Sequence, residues 1–286
     1  MANLKEIRNR IASISSTMQI TSAMKMVSAA KLKKAQDAIT AMRPYADKLT
    51  ELLQGLSASL DADSGSKFSD NREVKKVLIV AITSNRGLCG AFNTNIMKQC
   101  MVLTNETYAG KQVDFMAIGK KANDILVKKA NVIANHSKVY EDLTFDNVAI
   151  IAENLMEQFT DGSYDKIELV YNKFKNAATQ IIMTEQFLPI VAVEGSEGVS
   201  TDYIFEPSKV EIIEQLIPKS LKTQLYKSVR DSFASEHGAR MTAMHKATDN
   251  ATELRDELKL TYNKARQASI TNEILEIVGG AEALSN

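Results

Sequence analysis

The turn Asn85-Arg86-Gly87-Leu88-Cys89-Gly90 stands between a strand-like run and a helix-like run, and is the first place in this chain to look for chemistry. α/β proteins bind phosphate at such turns, because backbone N–H groups and the positive end of a helix converge there. The turn matches neither the three spaced glycines of a dinucleotide site nor a phosphate loop ending in Gly-Lys-Ser/Thr. Gly110-Lys111 and Gly119-Lys120 also lack the earlier glycine and the following hydroxyl residue. A tight turn that needs glycine is the plainer reading. Cys89 as a nucleophile has no partner base in any nearby pattern. His136, His237 and His245 are the only histidines; the last two are eight apart, about two helical turns, too far to share a metal without other ligands. Neither HExxH nor GxSxG occurs. The residues predict no catalytic group, no cofactor and no metal.

The elements around that turn have a clear order. Residues 77–82 form an unbroken apolar run, which reads as a strand buried on both faces. A helix starts near Asn93. Residues 113–118 give a second strand, closed by Gly119 and followed by a helix rich in Lys and Ala. Phe145, Val148, Ile151, Leu155 and Phe159 space out another helix, which stops at Asp161-Gly162-Ser163. Strands follow at 167–171 and 180–187. Strand and helix alternating in this way predict an α/β domain over 74–206 with a largely parallel sheet.

Long helices are expected on either side, over 1–60 and 207–286. In the first, Leu4, Ile7, Ile11, Ile14 and Met18 step by three and four, the register then meets Thr21, Lys25 and Ser28, and it recovers with Leu32, Ala35, Ile39 and Met42. Ile20, Met24 and Val27 form a parallel apolar stripe beside this polar stretch. Either the buried face steps sideways there, or the middle of the rod faces something other than its coiled-coil mate. In the last segment Met244, Ala247, Ala251, Leu254 and Leu258 keep a heptad that continues through Thr261, Ala265, Ala268, Asn272 and Leu275. Pro218 is expected at a kink or at a second helix start. If helices from Asn3 to about Ala58 and from about Lys209 onward run antiparallel, residues 265–286 project alone, roughly 33 Å at 1.5 Å per residue.

Composition bounds the function. Lys+Arg and Asp+Glu are both 35, so a bulk nucleic-acid binder is not indicated. Apolar residues at 44% exclude general disorder, while 4 prolines, no Trp and 6% aromatics point to helix rather than to a large all-β core. Six consecutive apolar residues cannot span a bilayer, which takes about twenty. Two cysteines without a metal spacing suit a reducing compartment, and the amphipathic start without a signal stretch predicts the cytoplasm. Charge is nevertheless local: Lys5, Arg8, Arg10, Lys25, Lys31, Lys33 and Lys34 face Glu6 alone through residue 36, seven minus one, or +6. A solvated face is the usual cause; an acidic partner or phosphates are the alternative.

The C-terminal stretch Asn263-Lys264-Ala265-Arg266-Gln267-Ala268-Ser269-Ile270-Thr271-Asn272-Glu273, with Glu276 and Gly280-Ala281, resembles the signature of the gamma subunit of F-type ATP synthase. Ile7-Arg8-Asn9-Arg10-Ile11, Ile20-Thr21-Ser22-Ala23-Met24-Lys25-Met26-Val27, Ser84 to Asn93, Asp202 to Pro207 and Ala239-Arg240-Met241 are similar to that family's other motifs. The resemblance covers essentially the whole chain. It implies a long antiparallel coiled coil of the terminal helices with an inserted Rossmann-like α/β domain, a noncatalytic rotary shaft present in one copy. Its implied partners are the alpha and beta subunits as a hexamer, the epsilon subunit and the membrane c-ring, and no nucleic acid. The implied location is peripheral, on the cytoplasmic face of a bacterial cell membrane. Met24, Arg240, Arg266, Gln267, Thr271 and Glu273 fall at family positions associated with hexamer contact and coupling. Lys31, Lys33 and Lys34 would meet acidic loops of the beta subunits, and Tyr203 would lie towards epsilon. Met18-Gln19 and Ser22 depart from the Gln-Lys and Lys that relatives often carry, and the cysteine-bearing insertion of photosynthetic relatives is missing. Competing readings are an α/β nucleotide enzyme with helical assembly arms, which nucleotide binding by the monomer would favour, and a nucleic-acid binder, which lacks the interleaved aromatics that stack bases.

Overall fold

The computed structural model describes residues 4–57, 67–68, 72–190 and 209–285. The polar loop from Asp61 to Ser66 and the segment from Asp202 to Pro207, with Tyr203, lie outside the described residues. Ten main elements follow in order: α1 (Leu4–Ser57), β1 (Lys76–Ile82), α2 (Phe92–Val102), β2 (Gln112–Ile118), α3 (Lys120–Leu126), β3 (Val132–Asn135), α4 (Phe145–Thr160), β4 (Lys166–Phe174), β5 (Gln180–Leu188) and α5 (Lys209–Ser285). The chain forms two compact units, one of Met1–Ser28 with Met241–Asn286 and one of Ala29–Arg240.

In the first unit the start of α1 pairs with the end of α5. The hydroxyls of Thr21 and Thr248 meet at 2.8 Å, the Thr252 hydroxyl lies 3.3 Å from the Met18 sulfur, and Arg8 donates to the Tyr262 hydroxyl at 2.8 Å. Numbers fall along one helix as they rise along the other, so the pair is antiparallel. Two expectations change here. The buried face of α1 does not step sideways: Ile20 and Val27 are 61% and 57% exposed, while Ser28 is buried and Thr21 half-buried on the original register. Small hydroxyl residues can hold a seam because their side chains bond within their own helix, as Ser28 does to the Met24 carbonyl at 2.8 Å. On α5 the seam shares Met244, Ala247, Ala251, Leu258 and Ala265 with the expected heptad and also takes in Thr248, Arg255, Tyr262 and Ser269. Leu254 is left 41% exposed. The partner decides this, since Thr21, Met18 and Arg8 each offer a polar or polarisable group at the matching level.

The second unit holds a five-stranded sheet in the order β3-β2-β1-β4-β5, with β5 antiparallel to β4 and the other pairs parallel. The apolar run of β1 is explained by its two covered faces. Leu78, Val80 and Ile82 pack with Val148, Leu155 and Phe159 of α4 and with Leu221, Leu225 and Val229 of α5. Val77, Ile79 and Ala81 pack with Ile96 and Cys100 of α2 and with Ala122 and Leu126 of α3. Each buried Val, Leu, Ile or Phe among them stabilises by about 1.5–3 kcal/mol. The Thr144 hydroxyl caps α4 by accepting from the Asn147 amide. β3 is not legible in the sequence: four residues at the sheet edge, alternately half-buried and exposed, give too short a pattern to stand out. Pro218 starts no new helix. α5 runs through it, held by the neighbouring Ile217 and Leu221, which are buried in the core.

Candidate functional site

In an open α/β sheet the ligand crevice lies at the carboxyl ends of the strands where the order reverses. Here β1 has β2 on one side and β4 on the other, so that crevice is bounded by residues 83–90 and by the end of β4. The protein fills it with its own helix. The Ser235 hydroxyl of α5 donates to the Asn172 carbonyl of β4 at 2.9 Å. Gly238 allows the close approach: a Cβ there would stand 3.2 Å from Ala177 Cα and 3.3 Å from its carbonyl oxygen.

Arg240 completes the closure. It is 7% exposed, and its guanidinium donates to the Glu236 carboxylate at 2.7 Å, to the Arg86 carbonyl at 3.0 Å and to the Gly87 carbonyl at 3.2 Å. Burial pushes the Glu236 carboxyl up from its ordinary value, opposed by the charges of Arg240, Lys31 and Arg86. Burial, with Arg240 and Lys31 adding to it, pushes the neighbouring His237 down to about 4, so this imidazole is neutral. Its ring meets Phe233 edge-on at 4.5 Å between centroids.

The turn that Arg240 holds is tied down from other directions as well. The Ser84 hydroxyl donates to the Arg86 carbonyl at 2.7 Å, and the Ser84 amide donates to Asn93 Oδ1 at 3.0 Å. Asn85 donates to the Ser137 carbonyl and accepts from the Lys120 amide. The Ala122 amide donates to the Thr83 hydroxyl and the Lys121 amide to the Ser84 carbonyl. Donors that a phosphate would use at the start of α3 are thus spent inside the chain. Leu88, at φ 62, and Gly90, at φ 60, carry the backbone through the left-handed region. Cys89 is buried, and that burial is the main cause of its raised thiol pKa, which opposes thiolate chemistry. Among the described residues no group of three or more His, Cys, Asp or Glu side chains could hold a metal ion.

The described residues singled out from the sequence are divided between the two units. Met24 is half-buried on α1. Lys31, Lys33 and Lys34 are exposed; Lys33 pairs with Asp37 at 3.2 Å, and the charge of Lys31 acts on Glu236 and His237. Arg240 belongs to the buried closure. Arg266, Gln267, Thr271 and Glu273 are exposed on α5, where Thr271 donates to the Gln267 carbonyl at 2.9 Å and Ser269 to the Glu273 carboxylate at 3.3 Å. Every residue from 270 to 281 is exposed, including Ile274 and Ile277. Sequence reasoning missed Glu236, whose spacing of four from Arg240 on a helix was the available signal.

Comparison with known proteins bears on the whole length. The ATP synthase family model matches residues 3–284. An ATP synthase gamma chain of Flavobacterium psychrophilum is 75% identical over 285 residues, 99% of each chain. One from Flavobacterium johnsoniae is 73% identical over 286 residues, the whole of both. Among solved structures, the fold is similar to a chain in the cryo-EM structure of the Euglena gracilis mitochondrial ATP synthase OSCP/F1/c-ring in rotational state 3. The TM-score is 0.73 at 24% identity, with 98% of this chain and 94% of that one covered.

Proposed function

This chain belongs to the gamma-chain family of ATP synthase, and from that premise we propose how its parts serve a rotor. As a gamma chain it is the noncatalytic central-stalk subunit of the F1 sector. The observation that carries the mechanical reading is the unequal length of the paired helices. Tyr262 lies opposite Arg8; α1 begins at Leu4, whereas α5 continues to Ser285. About 19 residues of α5, roughly 28 Å, therefore pass beyond the end of α1.

That single helix is the part which enters the hexamer of alpha and beta subunits. Arg266, Gln267, Thr271 and Glu273 present polar groups to the surrounding sleeve, and Met24 lies on the shaft beside the exposed Ile20 and Val27. The basic face of α1, with Lys33 and Lys34 exposed, suits acidic loops of the beta subunits. The α/β unit and the segment containing Tyr203 are the parts directed to epsilon and the membrane c-ring. Arg240 contributes through the turn that it holds. No helix among the described residues is long and apolar enough to cross a membrane. The chain then sits peripherally, on the cytoplasmic face of a bacterial membrane, and turns as ions pass through the ring.

Native mass spectrometry of the complex tests this. One copy of this chain with three copies each of two larger subunits is the expected result; a chain that appears in three copies defeats it. Reversing charge at Lys34 is expected to lower coupling without unfolding the α/β unit, since its side chain is outside the core. A second reading, an α/β nucleotide enzyme, finds its crevice already filled by α5.

A further inference from the structure

Glu236 and Arg240 are both buried, with side chains 9% and 8% exposed, and joined at 2.7 Å one helical turn apart. Burying an ion pair costs desolvation that a hydrophobic pair would avoid, so its presence in a packed site asks for a role beyond stability. The geometry supplies one. Arg240 has a fork of N–H donors, and Glu236 occupies one side of it, which fixes the plane of the guanidinium. The remaining donors are then aimed at two successive carbonyls, Arg86 and Gly87, on the turn leaving β1. Without the carboxylate, the long Arg240 side chain has no partner that sets its plane.

We propose that Glu236 is a positioning residue for rotary coupling, holding Arg240 as a clamp so that the β1–α2 turn and α5 cannot slip when torque passes between the α/β unit and the helix. The proposal rests on the rotor reading above. Two features concentrate load here. The turn is fastened to the start of α3 and to the carbonyl of Ser137, the segments that follow β2 and β3. Ser235 and Gly238 bring α5 against the end of β4 one turn away. Interdigitated apolar packing also resists slip, but paired hydrogen bonds add a directional constraint that fixes the turn and the helix in one relative orientation.

The test uses the whole complex in sealed vesicles, with Glu236→Gln and, separately, Arg240→Lys in this chain. Lysine keeps the charge but lacks the planar fork that reaches Glu236 and both carbonyls. The first measurement is ATP-driven ion pumping, followed for both protons and sodium, relative to ATP hydrolysis, expected to fall roughly twofold or more in both variants. The second is the labelling rate of the Cys89 thiol, which is buried in the clamped turn, against Cys100, buried in α2. Clamp release is expected to speed Cys89 labelling about tenfold while Cys100 stays protected, as losing a charge-assisted bond would do to a local opening. General destabilisation would expose both cysteines together and overturn the proposal. Unchanged pumping per ATP in either variant, with Cys89 released, overturns it too. An unaltered complex that hydrolyses ATP in tight vesicles without pumping would instead sink the rotor reading.

Discussion

Arg8 and Tyr262 are 254 positions apart in sequence, yet the guanidinium donates to the phenol at 2.8 Å and lies 5.7 Å from the centre of its ring. This contact marks the antiparallel register in the first unit, and the register fixes where α5 loses its partner. A lone helix of about 19 residues is marginal in water, because helices in proteins draw most of their stability from packing. Limited proteolysis of the isolated chain should cut first beyond about residue 264. In the assembled complex the same sites should be cut much more slowly. Equal resistance in both states would show that the tip has another partner within the chain.

Nucleotide should find no seat in the free chain. Calorimetric titration with Mg-ATP is expected to give no binding at micromolar concentrations, and the purified chain should hydrolyse none. The crevice that would receive phosphate is closed by Ser235, Gly238 and Arg240. Micromolar binding that disappears when Arg86 is changed would contradict this.

Gly119 and Gly90 separate steric from conformational cost. A Cβ on Gly119 would lie 2.2 Å from the Thr83 carbonyl oxygen, at a φ of +117. Gly119→Ala should destabilise by at least about 4 kcal/mol or prevent folding, since backbone at both places must move. Gly90 has a φ of +60 with nothing within 4 Å, so Gly90→Ala should cost only about 1–2 kcal/mol. Urea unfolding of the two variants measures the difference, and equal costs would refute the argument.

Stability should fall on mild acidification because of His237. Its folded value, about 4, is below the 6.5 of an unfolded chain, so protons bind the unfolded state more readily. The loss begins as pH drops below about 6.5, amounts to about 2 kcal/mol between pH 7 and pH 5, and levels off below about 4. His237→Phe should flatten that part of the profile while keeping an aromatic edge against Phe233. A profile that is unchanged in this variant would assign the acid sensitivity to other groups.

Thr21 and Thr248 meet across the seam, and valine has nearly their shape. Replacing both by Val should be neutral or stabilise the coiled coil by about 1 kcal/mol, because a polar seam pair is exchanged for an apolar one with no group left stranded. Thermal unfolding of the double variant decides it. A loss above about 1 kcal/mol would mean that the hydroxyl pair stabilises more than packing would.

The linear sequence determined the elements and their kind. The step of three and four from Leu4 to Met18, the apolar run from Val77 to Ile82 and the spacing from Phe145 to Phe159 are local patterns, and a local pattern reports which face of an element is apolar. α1, β1 and α4 were legible for that reason. Pro218 and β3 were not, because α5 is held through its proline by packing on the core, and four edge residues carry too little pattern. Tertiary structure alone decided the α5 seam. A heptad marks a stripe two residues wide at alternate levels, and both Leu254 and Arg255 fit it; Met18 on the partner helix selected Arg255. It also decided the role of Arg240. Sequence placed this residue on a helix near Glu236, but only folding brings the carbonyls of Arg86 and Gly87 to it from more than 150 positions away. Side-chain periodicity records what a residue must hide from water, whereas a hydrogen bond between distant segments depends on where two backbones cross, and no single segment holds that information.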